Sequence, residues 1–336
     1  MTQATRCVAA HRVDDVAFSP DGKSVAITSR GPFRGTLQLF DIDSSTARWT
    51  YPRAPSFDYG AFSADGSLLS VGGIGKARIL DAADRHIVIR CGPSPGTESS
   101  VHAYISPDGT SLITLLERNV RVYDIRSGAE TLRFRHKNAR CKYLRYSPDG
   151  SRIATLGFGE HGIDVWDAAS FQVPVDRARR WSRFPTGDGP IVSLQNVPAK
   201  TNQMQFGGCS HVLVTAAPND SVIRVWDVAS GTLTGLCDTA PGTKWLRLGD
   251  GSGRVALTSC TDGTLRVWDV ATGQERTRLP TPQGFRIGAV NSDATKLATS
   301  NGTKSVEIWS LAGGPRQQPA PDAAPPDDWC PRCGAG

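Results

Sequence analysis

One short pattern returns seven times along the 336 residues of this chain. Its copies end LQLFDI, ARILDA, VRVYDI, IDVWDA, IRVWDV, LRVWDV and VEIWSL. A bulky or aromatic residue stands at Phe40, Leu80, Tyr123, Trp166, Trp226, Trp268 and Trp309, followed by Asp in six copies and by Ser310 in the last. From Asp41 to Ser310 the successive intervals are 40, 43, 43, 60, 42 and 41 residues. Upstream of each ending sits a turn followed by a short apolar run. It reads SPDGKSVAITS from Ser19, SADGSLLSVGG from Ser63, SPDGTSLITLL from Ser106 and SPDGSRIATLG from Ser147, with weaker forms from Gly207, Gly249 and Asn291. Asp-Gly between two apolar runs signals a hairpin, because glycine takes the positive φ such turns need. A unit this short cannot bury its own apolar face, so the repeats must stack on one another.

A period of roughly 40–45 residues with a Trp-Asp ending is the mark of a β-propeller, one four-stranded blade per repeat. On these residues the chain resembles the WD-repeat family over about residues 1–311. The expected fold is all-β, a seven-bladed propeller. The last repeat stops at its third strand, VEIWS, while the first hairpin turn comes only at Ser19 and leaves TRCVAAH spare. An open ring would leave a sheet edge unpaired. Residues near Arg6–Ala10 are therefore expected to complete blade seven, a closure that the resemblance also implies. Residues 312–336 read as a separate Pro-rich tail, GGPRQQPAPDAAPPDD running into WCPRCG. Blades pack on their neighbours, so 311 residues can form one domain.

The 60-residue interval holds an insertion of roughly 18 residues, including RARRWSRF at 177–184. Family geometry places it at the fourth strand of blade four and the loop into blade five, opening on the top face. The formal charge is +6, and the tail carries Arg316 and Arg332 against Asp322, Asp327 and Asp328. The propeller alone is thus about +7, which favours acidic partners. Six of the eight Cys are scattered over the blades, as buried thiols in a reducing compartment are. No run is apolar enough for a signal peptide or a bilayer span. A cytoplasmic protein with no membrane partner is the expectation.

Catalysis finds little footing. The glycines of Gly157–Gly162 fit G-x-G-x-x-G, yet a strand follows where a dinucleotide site needs a helix. The six His lack the spacing of a metal site or a triad. The resemblance implies that Ser259, Asp262 and Trp268 in blade six, and Thr215, Asp220 and Trp226 in blade five, belong to buried hydrogen-bond networks. The family's Gly-His pair is missing from all seven repeats, so those networks should be incomplete.

Binding residues are more legible. Arg30, Arg34, Lys76, Arg118 and Lys304 share one place in the repeat, the connection between second and third strands, and are expected on one face around the channel. Blades five and six present Asp220 and Asp262 there. In the insertion, Arg179, Arg180, Trp181 and Arg183 can pair with carboxylates or phosphates and stack on flat groups; a Trp packed on the blades with arginines around it is the other reading. Cys330 and Cys333 make half of a zinc site, which needs two ligands from elsewhere; otherwise the tail is metal-free and no cofactor is expected. The favoured function is a non-enzymatic protein-interaction scaffold offering a basic face to an acidic peptide or protein. A nucleic-acid-binding propeller using the rim and RARRWSRF is the alternative, and an enzyme with an unrecognised site is a third.

Overall fold

The computed structural model describes residues 2–31, 35–54, 57–73, 76–91, 101–116, 119–135, 141–157, 162–171, 189–208, 210–217, 220–239, 243–249 and 254–311. Its strands fall into seven four-stranded antiparallel sheets. Blade one runs outward from the channel as Arg12–Phe18, Ser24–Arg30, Gly35–Asp41 and Ala47–Ala54. Blades two to six repeat that order, starting at Phe57, His102, Cys141, Gln203 and Thr243. Blade seven is built from both ends of the chain: Ile287–Val290, Lys296–Ser300 and Ser305–Ser310 are joined on the outside by Thr2–Val8. Cys7 pairs with Val306, and Val8 with Ser305. The closing strand thus begins earlier than the sequence suggests and ends at Val8. Ala9 still donates its N–H to the Lys304 carbonyl at 2.7 Å.

The repeated residues each have a mechanical task. Gly22, Gly66, Gly109 and Gly150 turn at φ between 64° and 75°, joining first strand to second. In those turns the serine hydroxyl accepts the N–H that opens the second strand, as Ser19 does from Ser24 at 2.9 Å, and donates to the turn aspartate, as Ser19 does to Asp21 at 2.5 Å. The Asp after each bulky residue caps the turn from third strand to fourth. Its carboxylate accepts backbone N–H groups from Ser44, Ala83, Ser127, Ala169, Ser230 and Thr272 in blades one to six. Blade seven takes its fourth strand from the N-terminus, has no such turn, and carries Ser310 instead.

Seven hydrophobic clusters fill the seven blade interfaces. The bulky residue of each blade packs on the blade before it: Phe40 on blade seven, Leu80 on blade one, Trp268 on blade five. Four of these residues are Trp, and each indole N–H, buried in blades four to six and part-buried in blade seven, finds a threonine hydroxyl on its own second strand. Trp166 donates to Thr155, Trp226 to Thr215, Trp268 to Thr258 and Trp309 to Thr299, at 2.8–2.9 Å. Where Phe40 and Leu80 replace the Trp, the corresponding second-strand positions hold Ile27 and Val71. In those two blades there is neither an indole N–H nor a hydroxyl to satisfy; blade three, with Tyr123, keeps the buried Thr114 at that position.

Two expectations need correction. Trp268 bonds Thr258 rather than Ser259: Trp268 lies opposite Ala256, and only the residue two further on shares that face of the strand. The acidic residues leave the network altogether, Asp220 pairing with Arg224 at 2.7 Å and Asp262 with Arg266. The insertion also falls elsewhere in the order of the strands. The fourth strand of blade four is Val192–Leu194, paired with Ile163, Asp164 and Val165. RARRWSRF lies outside the described residues, but its described flanks, Phe171 and Gly189, bracket the connection from third strand to fourth. Those two flanks stand at the end of the blade carrying the hairpin turns, opposite the end where Arg30 and Lys304 sit. The fourth strand comes after the insertion, not before it.

Candidate partner-binding surface

Blade seven's second-to-third-strand turn is clamped onto the entry to blade one. Thr303 O accepts the Val13 N–H at 2.9 Å, beside the Ala9 to Lys304 bond. The turn is made by Gly302, whose φ of +75° lies in the left-handed region. A larger residue would have to displace the Arg286 side chain: a Cβ on Gly302 would stand 2.8 Å from Arg286 Cδ and 3.8 Å from Arg12 Nε. The absent side chain lets Arg286, from the approach to blade seven's inner strand, meet Arg12, from the start of blade one's. Arg12 lies opposite Arg30 across the blade-one hairpin, and Lys304 is next but one to Gly302.

Four exposed cations therefore converge on the closure seam: Arg12, Arg30, Arg286 and Lys304. Asp14 pairs with Arg30 at 3.1 Å, the side chains being 57% and 21% exposed. Among the described residues, Arg12, Arg286 and Lys304 have no ion pair. Elsewhere several half-buried arginines are compensated within the ring: Arg121 by Glu130 at 3.4 Å, Arg247 by Asp15 at 2.7 Å, Arg266 by Asp262 and Glu275. Asp220 and Asp262, read from the sequence as acids on the rim, are thus spent on Arg224 and Arg266.

Of the residues singled out in the sequence, the structure brings Arg30 and Lys304 together. Lys76 opens the third strand of blade two, at the corresponding end of its blade. Arg34, Arg118, Arg179, Arg180, Trp181, Arg183, Cys330 and Cys333 lie outside the described residues. Arg12 and Arg286 were missed by sequence reasoning, which in blades one and seven looked at the second-to-third-strand loops. Both stand at the start of an inner strand, where the chain enters a blade at that same end. A scan for cations at both kinds of connection would have found them.

Asp81, Asp84 and His86 place three ligand-type atoms within 4.8 Å of one another. Their oxygens are engaged by the turn itself: Asp81 accepts the Ala83 N–H, while Asp84 accepts the His86 N–H and lies 2.7 Å from His86 Nδ1. This is the same capped turn found in five other blades. No helix among the described residues is long and apolar enough to cross a membrane.

Seven radial sheets stapled by the N-terminal strand, with a loop-bearing rim, define a seven-bladed β-propeller. Residues 234–269, from the fourth strand of blade five through the third strand of blade six, match the family model described as WD domain, G-beta repeat. That stretch is one repeat of the seven, and the architecture around it is a seven-bladed β-propeller. No curated protein matches the chain. Propellers of this kind commonly serve as protein-interaction scaffolds.

Proposed function

We propose that this chain is a non-enzymatic interaction scaffold whose closure seam binds an acidic segment of a partner protein. The observation that carries this is the meeting of Arg12 and Arg286 over Gly302, flanked by Arg30 and Lys304, with Asp14 as the one carboxylate paired there among the described residues. Like charges placed opposite one another weaken a sheet, and Arg12 opposite Arg30 does so on an exposed rim. A carboxylate-rich ligand relieves that repulsion, and the rigid ring lets it bind with little ordering cost. Guanidinium groups suit this because they grip carboxylates with two parallel hydrogen bonds.

The test is fluorescence anisotropy with a labelled peptide of alternating Glu and Gly, and with a single-stranded oligonucleotide, over a range of salt. Arg12→Glu combined with Arg286→Glu is expected to weaken the peptide by at least about tenfold and to leave the melting temperature nearly unchanged, since both residues are exposed. Unchanged peptide binding would refute the seam. Tight oligonucleotide binding with a steep loss in salt, and no peptide binding, would favour nucleic acid instead.

A further inference from the structure

The inner strands of the blades line the central channel, and one position in them, two residues before the hairpin turn, is occupied asymmetrically. On blades seven, one and two it holds Ala289, Ala17 and Ala61. On blades three, four and five it holds Tyr104, Arg145 and Gln205. On blade six it holds Arg247, which reaches past the blade-seven carbonyl of Gly288 to Asp15 Oδ1 at 2.7 Å. This layer lies toward the turn end of the channel, away from the closure seam.

Arg145 is half-buried in that layer. Its Nε donates to Gln205 Oε1 at 3.2 Å and its Nη1 to the Leu144 carbonyl at 2.8 Å. Its guanidinium carbon stands 5.3 Å from the centre of the Tyr104 ring. A guanidinium carries five N–H donors, so the fork between Nη1 and Nη2 is still open. Among the described residues no carboxylate pairs with it, whereas Arg247 at the same ring position has Asp15. Tyr104 does not balance the charge either: burial pushes its phenol up to about 12, against the pull of Arg145, and keeps it neutral. A charge withdrawn from water without a counter-ion is costly. At the same ring position blades seven, one and two carry only alanine, Ala289 and Ala17 buried and Ala61 exposed.

We infer that the turn-end half of the channel is a carboxylate site, in which Arg145 grips the ligand through its open fork while Tyr104 and Gln205 hold the guanidinium in place. Arg247 shows what the occupied state resembles, with the carboxylate supplied by the chain itself. The ligand is a single carboxylate, brought either by a small free acid or by an acidic side chain entering from the turn end. The site is separate from the seam and does not depend on it.

Two probes distinguish the sources: malonate, and the peptide acetyl-Gly-Gly-Glu-Gly-Gly-amide. Titration calorimetry and the arginine Nε–H resonances of the intact protein read the binding. The native protein is expected to bind at least one probe saturably and to shift one Nε–H resonance. Arg145→Gln is expected to remove that resonance and weaken binding by at least about tenfold, while Arg12→Glu with Arg286→Glu leaves it unchanged. Ala61→Glu, which keeps Arg145 and tethers a carboxylate at the same ring position, is expected to abolish binding of the free probe. That variant decides the matter if Arg145→Gln does not fold. Malonate alone binding identifies a free acid, and the peptide alone identifies a partner's side chain. If neither probe binds, or if binding survives Arg145→Gln or Ala61→Glu undiminished, the site does not exist.

Discussion

Deleting residues 1–8 removes the strand that closes the ring, and the loss can be sized from its contacts. Thr2–Val8 pairs with Ser305–Ser310 at five registered positions, or on the order of five backbone hydrogen bonds at about 1 kcal/mol net each. Cys7, fully buried in the cluster between blades seven and one, adds about 1–2 kcal/mol of apolar burial. Roughly 6 kcal/mol is therefore at stake, a large share of the 5–15 kcal/mol by which a folded domain is typically stable. At roughly 2–4 °C per kcal/mol for a chain of a few hundred residues or less, the melting temperature should fall by more than about 10 °C. Calorimetry of the truncated chain should show one cooperative transition displaced downward, because blade seven props both neighbours. A synthetic peptide of residues 1–10 added in trans should raise it again. A truncated chain that melts within about 3 °C of the full one, or that loses only a minor early transition, would show that the strand is trim rather than a clasp.

Thr258→Val removes a buried hydroxyl without changing volume and strands the Trp268 indole N–H; urea unfolding should report a loss of about 1–3 kcal/mol. Adding Trp268→Phe should cost less than the two single losses summed, since the N–H and its acceptor then leave together; full additivity would break the pairing argument. In acid, the turn carboxylates matter. The Ser19 and Ser63 hydroxyls hold Asp21 and Asp65 below the usual carboxylate range, and the Ser44 N–H, then Arg48, hold Asp41 down to about 2. Folded values below the unfolded one of about 3.9 mean stability that is complete above that pH and lost as pH falls toward about 2. Melting temperature measured from pH 5 to pH 2 should drop through that window, and less steeply in Ser19→Ala with Ser63→Ala; a flat profile in the native protein would contradict it.

Blade number, turn positions and the clasp between chain ends were legible in the sequence, because each depends on a local pattern repeated at a constant spacing. Six Asp caps and one Ser310 even encode which blade borrows its outer strand. The Phe40 with Ile27 and Leu80 with Val71 substitutions can likewise be read, once the ladder register is known. The place of the insertion could not, since the three-residue strand Val192–Leu194 has too little periodicity to announce itself and lies beyond the inserted segment. Only the closed ring decided which charges meet. Arg247 finds Asp15 across 232 residues of sequence, Arg286 comes beside Arg12 because the N-terminus docks on the last blade, and Arg145 sits between Tyr104 and Gln205 of the two neighbouring blades with no carboxylate paired to it among the described residues. Periodicity specifies the blade, a property of neighbours along the chain; the binding surfaces arise between blades, where curvature and closure bring distant residues face to face.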